Sequence, residues 1–267
     1  MRLVLIFVIA FDLYASSMVT YITGDSPIIL SAPHGGQKVI SDIPLRENTN
    51  LPLFRTKADK NTDIITKRVF QILKDSYAIS AHVVIANFKR SQIDANRKPS
   101  HAYEVAEAKK YYDEFHHSIK KALKHVKESY KEGLLVEIHG QSFIPDVLYL
   151  GTRNGDGVSK LLKRFPENPL YETNGIHTTL LHEGYQIIPA NSQTKEKKYS
   201  GGYNIDQYGS HKKDGIDALQ IEIGRDFRIK ENEQERIAQA IAKAISLHVR
   251  FFLPDEKTDS ILQKGTK

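Results

Sequence analysis

Short apolar runs alternate with amphipathic stretches along most of the chain. Apolar runs typical of strands occupy residues 27–31, 82–88, 134–138, 147–150, 185–189 and 218–223. Apolar residues recur at helical spacing in residues 61–74, 102–130, 161–162, 176–183 and 231–252. A glycine-rich turn (154–157) and a polar, lysine-rich loop (191–200) separate some of these segments. Strands that alternate with helices predict one α/β domain with a mostly parallel or mixed central sheet flanked by helices.

The two ends of the chain differ from this pattern. Arg2 precedes an apolar run at residues 3–11, and small residues follow at 15–17, which predicts a secretory signal peptide (1–17) cleaved near Ser17. The run is too short to span a bilayer; a buried N-terminal strand is the alternative interpretation. A single folded domain is expected to cover 18–253, and a polar tail at 254–267 is expected to be mobile. We therefore expect a secreted protein without a transmembrane segment.

Composition limits the chemistry that is available. The chain has no cysteine, so thiol catalysis and cysteine metal sites are excluded, and a metal would need His, Asp or Glu ligands. Its formal net charge is +6, with lysine clusters at 120–121, 195–198 and 212–213. Because none of these clusters is interleaved with aromatic residues, we predict no nucleic-acid binding. The oligomeric state stays open.

Two histidines stand at the ends of predicted strands. His34 lies in Pro-His-Gly-Gly, and His139 lies in Val-Glu-Ile-His-Gly. Glu137 precedes His139 by two residues, so both share one face of the strand, and the carboxylate can hydrogen-bond the histidine or bind a metal itself. A neutral imidazole beside a carboxylate suits zinc. An ordinary turn histidine and a paired core histidine are the alternatives.

Three further motifs carry candidate substrate-binding and catalytic groups. Asn96 and Arg97, in Asp-Ala-Asn-Arg, can grip a carboxylate, although a surface ion pair explains them equally well. Glu222, on the last strand, is a candidate general base, and Arg225 follows it closely. Tyr203 lies in a glycine-rich segment that is expected to be a flexible loop over the site, or else a plain surface loop.

The order of these motifs resembles the N-formylglutamate amidohydrolase family, a branch of the zinc carboxypeptidase and aspartoacylase-like fold, from about residue 28 to residue 227. The resemblance implies one zinc ion held by His34, an acidic residue and His139. It also implies a carboxylate-binding role for Asn96 and Arg97 and a general acid/base role for Glu222. From the residues themselves we expect Arg225 to pair with Glu222 or to polarise a substrate carbonyl, Tyr203 to contact the substrate, and Asp94 and Glu137 to act as supporting carboxylates.

The acidic zinc ligand is the point where the chain departs from the wider fold. Zinc carboxypeptidases have His-x-x-Glu, whereas residue 37 here is Gln37. Asp59, just before the helix predicted from residue 61, is the first choice for the third ligand. Glu47 and Asp63 are the alternatives.

Together these features predict a secreted zinc-dependent hydrolase. Its substrate would be a small molecule or peptide with a free carboxylate near an amide bond, of the N-acyl amino acid, peptide or γ-glutamyl type. The alternative is a catalytically inactive secreted binding protein on the same fold, which would recognise acidic peptides or anionic surfaces.

Overall fold

A seven-stranded mixed sheet forms the centre of the computed structural model, which describes residues 17–253. The strands are β1 (Val19–Ile22), β2 (Ile28–Ala32), β3 (His82–Ala86), β4 (Leu134–Gln141), β5 (Val147–Gly151), β6 (Gln186–Ile188) and β7 (Asp217–Gly224). Their order is β1-β3-β2-β4-β7-β5-β6. Neighbours among β3, β2, β4 and β7 are parallel, β1 and β5 are antiparallel to β3 and β7, and β6 is parallel to β5. The predicted α/β domain with a mixed sheet is confirmed.

Eight α-helices surround the sheet within the described residues. They are α1 (Thr62–Tyr77), α2 (Pro99–Ala102), α3 (Lys109–Ser129), α4 (Ser159–Arg164), α5 (Ile176–His182), α6 (Tyr203–Tyr208), α7 (Asp226–Ile229) and α8 (Glu231–Phe252). Short 3₁₀ turns occupy Ala106–Ala108 and Asp156–Val158. None of the helices in residues 17–253 has the length and apolar character needed to cross a bilayer. Residues 1–16 and 254–267, which hold the predicted leader and tail, lie outside the description.

Several boundaries differ from the sequence prediction. The helix predicted over 102–130 becomes α2, a 3₁₀ turn and α3, because Tyr103 and Val105 adopt extended backbone conformations. The segment predicted as a flexible loop around Tyr203 contains α6. The prediction did not include β1, whose four residues form an edge strand with one buried position at Val19 and therefore show no clear alternation.

Side chains of the strands alternate between two faces of the sheet. One face is mostly apolar and packs against α1, α5 and α8, with core residues that include Leu30, Val136 and Ile221. Each such fully buried side chain contributes about 1.5–3 kcal/mol through removal of apolar surface from water. Asp217, at the start of β7, is a buried polar residue on this face and pairs with Arg164. This face stabilises the sheet, and the candidate site residues lie on the opposite face.

The second face changes character along its length. Near the amino ends of the strands it carries apolar side chains such as Leu135 and Ala218, which belong to the core that includes α3. Two and four residues further on, the same face carries polar groups: Ser31, Glu137, His139, Gln220 and Glu222. The β4–β7 register places His139 beside Glu222 and Glu137 beside Gln220. The carboxyl ends of the central strands therefore gather the polar residues of the sheet.

Candidate metal centre

Three buried side chains converge at the carboxyl ends of β2 and β4. Nδ1 of His34 lies 3.3 Å from Oδ2 of Asp59, and Nδ1 of His139 lies 3.2 Å from the same oxygen. The two imidazole rings meet edge to face with centroids 4.9 Å apart. One candidate ligand atom from each residue lies within 4.8 Å of the others. Two imidazole nitrogens and one carboxylate oxygen are thus close enough to one another to bind the same metal ion.

Asp59 is fixed by contacts on all sides of its carboxylate and backbone. Its N–H donates to the His34 carbonyl at 3.0 Å, and its own carbonyl accepts the Thr62 hydroxyl at 2.8 Å at the start of α1. Oδ2 accepts the Gly140 N–H at 3.1 Å, and Oδ1 accepts a guanidinium N–H of Arg90 at 3.2 Å. The turn before α1 therefore delivers a carboxylate to the histidines.

Glycines beside the histidines allow this close packing. A Cβ on Gly36 would lie 2.3 Å from the Ala86 carbonyl oxygen, and a Cβ on Gly140 would lie 2.4 Å from Cζ of Arg228. The Arg228 guanidinium cannot move aside cheaply because it is buried and donates to the carbonyls of Ile223, Lys60 and Gln141. The Gly residues that follow each histidine in the sequence are thus required by the packing.

The outer nitrogen of each histidine meets a separate carboxylate. Nε2 of His34 lies 2.7 Å from Oδ1 of Asp94, and Nε2 of His139 lies 2.7 Å from Oε1 of Glu137. Both carboxylates are fully buried. A carboxylate at Nε2 holds a proton on that nitrogen, so Nδ1 is the nitrogen of each ring that can give its lone pair to a metal once its own proton is lost.

The electrostatics of the cluster favour a cation. Burial alone would raise the pKa of Asp59, but hydrogen bonds from His139 and His34 and the charge of Arg90 hold that pKa well below its usual value. Burial would lower the pKa of His139, but Glu137 and Asp59 raise it to about 10. Two imidazole nitrogens and one carboxylate oxygen are a donor set that suits zinc, and the cluster therefore fits the implied ion.

Glu222 lies beside His139 on the neighbouring strand and is almost fully buried. Burial and the charge of Asp59 raise its pKa to about 7, even though His139 and Arg90 act in the opposite direction. Its Oε1 accepts the Gln220 amide N–H at 3.1 Å. A carboxyl group that titrates near neutral pH can both accept and return a proton, which is the property of a general base.

Asn96 and Arg97 occupy different positions at the site. Asn96 is only 3% exposed; its Oδ1 accepts the Asn204 N–H at 2.8 Å, and its Nδ2 lies 3.1 Å from Nε2 of His139. Arg97 is partly exposed and donates to the carbonyls of Asn96 and Leu53 at 2.7 and 3.0 Å. Arg97 thus lies at the rim of the site, whereas Asn96 is buried and connects His139 to the start of α6.

Two of the predicted substrate contacts lie elsewhere. Arg225 is exposed and its guanidinium pairs with Asp226 at 3.1 Å, because β7 ends at Gly224 and the chain turns outward into α7. It therefore does not pair with Glu222. The Tyr203 ring contacts His116 of α3, with centroids 5.9 Å apart, because Tyr203 begins a helix and not a loop.

The alternatives for the acidic ligand are separated from the cluster. Glu47 is exposed, and Asp63 is half-buried in the first turn of α1, where its side chain packs against Gly35. Gln37 is also exposed, and its amide donates to the Gly35 carbonyl at 3.3 Å. Among the candidates that the sequence offered, only Asp59 reaches both histidines.

Tyr199 is an aromatic residue of the site that the sequence did not single out. It has a positive φ of 55°, and its ring packs edge to face on Tyr149 with centroids 4.9 Å apart. Burial raises the pKa of its hydroxyl, and the charges of Glu222 and Asp59 add to this. Tyr199 and not Tyr203 is therefore the loop aromatic next to Glu222; tyrosine-rich sequence alone does not distinguish the two.

The loop that carries Tyr199 is anchored by Glu196. The Glu196 carboxylate accepts the N–H groups of Thr152 and Asn154 at 2.9–3.0 Å and the Thr152 hydroxyl. In return, the Glu196 N–H donates to Oδ1 of Asn154 at 2.8 Å. A lysine-rich segment that the sequence presented as a plain loop is thus docked on the end of β5.

Buried polar residues around the cluster also escaped the sequence reasoning. Arg90 donates to Asp94 at 3.1 Å as well as to Asp59, and Asn204 donates its amide N–H to Oε2 of Glu137 at 2.6 Å. The one available signal was the spacing of Arg90 four residues before Asp94. These groups tie the two supporting carboxylates to the rest of the fold.

The fold and the site place the chain in the α/β class to which solved amidohydrolase structures belong. N-formylglutamate amidohydrolase from Ralstonia eutropha JMP134 is similar with a TM-score of 0.55 and 17% identity, over 93% of this chain and 97% of that one. A gene product from Agrobacterium tumefaciens is similar with a TM-score of 0.52 and 15% identity, over 86% and 96%. No protein-family model matches the chain, and no curated protein matches it. These similarities fit the family suggested by the motifs, and at such identities they establish the fold.

Proposed function

We propose that the chain is a zinc-dependent hydrolase that cleaves an amide bond close to a substrate carboxylate. The observation that carries the proposal is the convergence of His34 Nδ1 and His139 Nδ1 on Oδ2 of Asp59, with each outer nitrogen held by a buried carboxylate. A core histidine pair needs neither a shared third ligand nor two separate supporting carboxylates. The arrangement fits a metal centre better than a purely structural network.

In this proposal His34, Asp59 and His139 hold one zinc ion. The bound ion supplies a Lewis acid that polarises a carbonyl and activates water. Glu222 accepts a proton from the attacking water on its carboxylate and then donates it to the amide nitrogen as the C–N bond breaks. Burial and the charge of Asp59 raise the pKa of Glu222 above that of an ordinary carboxyl group, which makes it a better acceptor for the proton of the water.

Arg97 supports the choice of substrate. Its guanidinium lies at the rim of the site, where its side chain donates to the Leu53 carbonyl. The negative charges of Asp94 and Asp59 attract it from the interior of the site. A guanidinium in this position can bind a free carboxylate with two parallel hydrogen bonds. N-formylglutamate is a reasonable first substrate because a solved protein of similar fold carries that name, and γ-glutamyl compounds are the second class to test.

The direct test combines metal binding with hydrolysis. Chelated protein should take up one equivalent of zinc and then hydrolyse N-acyl glutamate or a γ-glutamyl amide. Glu222→Gln should keep its zinc and lose about 10²-fold or more in kcat, whereas His139→Ala should lose the metal. Failure to bind zinc when a stoichiometric amount is offered would refute the proposal.

The alternative, an inactive binding protein, rested on Gln37 and on an uncertain third ligand. The cluster of His34, Asp59 and His139 supports Asp59 as that ligand, which favours the enzyme. Zinc uptake and tight substrate binding without turnover would support the binding protein instead.

Secretion belongs to the same proposal and rests on residues 1–17 of the sequence. Expression of the full chain should yield a mature protein that begins near residue 18 outside the cytoplasm. N-terminal sequencing of the exported fraction checks this, and a retained, uncleaved chain would contradict it.

A further inference from the structure

A cavity of about 770 Å³ lies between α3 and the segment that joins α6 to β7. On the α3 side it is lined by Lys120, Leu123, Lys124 and Lys127, whose spacing of three, four and seven residues puts them on one face of the helix. On the other side it is lined by residues 207–208 and 212–215. Two segments that are distant in sequence thus form facing walls, which we name the basic cavity.

The basic cavity is separate from the metal centre. Its wall ends at Gly215, just before the amino end of β7, whereas Glu222 lies near the carboxyl end of that strand. The five steps along the strand from Asp217 to Glu222 span about 16 Å of extended chain. A ligand in the basic cavity would therefore bind at a different end of the sheet.

Its lining carries an excess of positive charge. Five lysines stand against two carboxylates, those of Glu128 and Asp214. Lys124 is 3.8 Å from Glu128, and Lys127 is 3.1 Å from Asp214, so these two lysines are paired. The remaining three form no ion pair within the part of the chain that the structure describes: Lys120 on one wall and Lys212 and Lys213 on the other. Unpaired ammonium groups around one cavity repel each other, and an anion between them removes that repulsion.

The kind of positive charge indicates which anion fits. Among the described residues that line the cavity there is no arginine, so a bound anion would be held by lysine point charges and not by the planar, two-pronged contact that arginine makes with carboxylates and phosphates alike. Ammonium groups on two facing walls suit an anion whose several charges are spread over several oxygens, such as a chain of phosphate groups. The floor adds apolar surface from the buried side chains of Leu123 and Tyr208.

We propose that the basic cavity binds a small polyanion that carries two or more phosphate groups, held between Lys120 of α3 and Lys212 and Lys213 of the opposite wall. The interaction between the walls already exists in the Lys127–Asp214 ion pair, which joins them beside the cavity. This binding is independent of zinc and of the hydrolytic function proposed above.

Titration calorimetry with inorganic tripolyphosphate at low salt tests the proposal on the full domain. The wild type should show saturable binding that weakens severalfold when the salt rises from about 50 to 200 mM. A variant with Lys120→Ala and Lys212→Ala, one lysine from each wall, should bind about tenfold more weakly. Lys213→Glu provides a second, single-site version of the same test.

A matched control removes two exposed loop lysines outside the cavity, with Lys195→Ala and Lys197→Ala. This control lowers the net charge of the protein by the same amount as the cavity variant. Because these two lysines do not line the cavity, the affinity should change by less than about twofold. Equal weakening of both double variants would overturn the proposal, as would the lack of saturable binding by the wild type. Citrate serves as the carboxylate probe, and an affinity equal to that of tripolyphosphate would overturn the assignment to phosphate.

Discussion

Replacing Asp94 by Asn tests how the outer carboxylate controls the proposed zinc ligand. Oδ1 of Asp94 accepts Nε2–H of His34 at 2.7 Å and the Asn96 N–H at 3.0 Å, while Oδ2 accepts Nε–H of Arg90 at 3.1 Å. Asparagine has the same shape but keeps only one of these oxygens. With its oxygen toward His34, its NH₂ group meets the Arg90 donor, so one charged hydrogen bond is lost.

The expected magnitude follows from these contacts. Loss of a charged acceptor behind a ligand histidine lowers metal affinity by about 10–100-fold, or about 1.4–2.8 kcal/mol. The buried Arg90 donor that is left facing an amide nitrogen should cost about 1–3 kcal/mol of folding free energy. Asp94 is fully buried, so solvent does not screen this loss.

A competition titration against a chromogenic chelator measures the zinc affinity, and urea unfolding of the metal-free protein measures the stability. Asp113→Asn is the matched control, because Asp113 is an exposed residue of α3 that pairs with Lys109. The control should leave both quantities unchanged. If Asp94→Asn folds and binds zinc within twofold of the wild type, then Asp94 does not orient His34 and the reasoning is refuted.

Three further substitutions probe other parts of the structure. Gly140→Ala would place a Cβ 2.4 Å from the held guanidinium of Arg228, so urea unfolding should show a loss of about 1–3 kcal/mol. Glu196→Gln weakens the anchor of the loop that carries Tyr199, and kcat/KM in the proposed hydrolysis should fall about tenfold while zinc affinity stays unchanged. His248 is fully buried, and burial lowers its pKa to about 3, so the folded state resists protonation that the unfolded state accepts below about pH 6.5. Stability is therefore complete above that pH and falls as the pH decreases; between pH 7.5 and 5 this residue should account for about 2 kcal/mol, which His248→Leu should remove.

For Gly140→Ala the comparison is Gly184→Ala, where a Cβ would meet no atom within 4 Å but φ is +91°, so only backbone strain is added. For Glu196→Gln it is Lys195→Gln in the same loop, and an altered zinc affinity in Glu196→Gln would argue against an effect through the loop alone. For His248, an acid slope that His248→Leu leaves intact would assign the loss of stability to other groups.

The sequence predicted the strand-borne part of the site because strand ends leave a local signal. His139 and Glu222 follow or end apolar runs, and the register of β4 and β7 brings them side by side. The α/β fold was likewise predictable from the alternation of apolar runs with helical spacing. Asp59 could be named only as one of three acidic candidates, since the turn that holds it has no periodic pattern.

The rest of the site depends on contacts between distant segments. Nothing near Arg90 or Tyr199 in the sequence shows that they approach Asp59 and Glu222, because the approach is set by tertiary packing. Arg225 illustrates the opposite error: its closeness to Glu222 in sequence suggested a shared site, yet the end of β7 directs it to the surface. Sequence proximity is a poor guide once a strand ends.

The second face of the sheet is apolar near the amino ends of the strands and polar near their carboxyl ends. This arrangement also determines the register in which β4 can pair with its neighbours. A shift of β4 by one residue would exchange its two faces and bring Glu137 and His139 against the apolar layer of α1 and α8. Glu137 would lose its Asn204 partner there and His139 would lose Asp59, and burial of polar groups without their partners costs several kcal/mol. By contrast β3, with the sequence His-Val-Val-Ile-Ala, is buried on both faces and offers little discrimination between alignments. The polar groups at the ends of β4 and β7 therefore help to specify the register of the sheet during folding. They make shifted registers less stable than the native one, even before any ligand is bound.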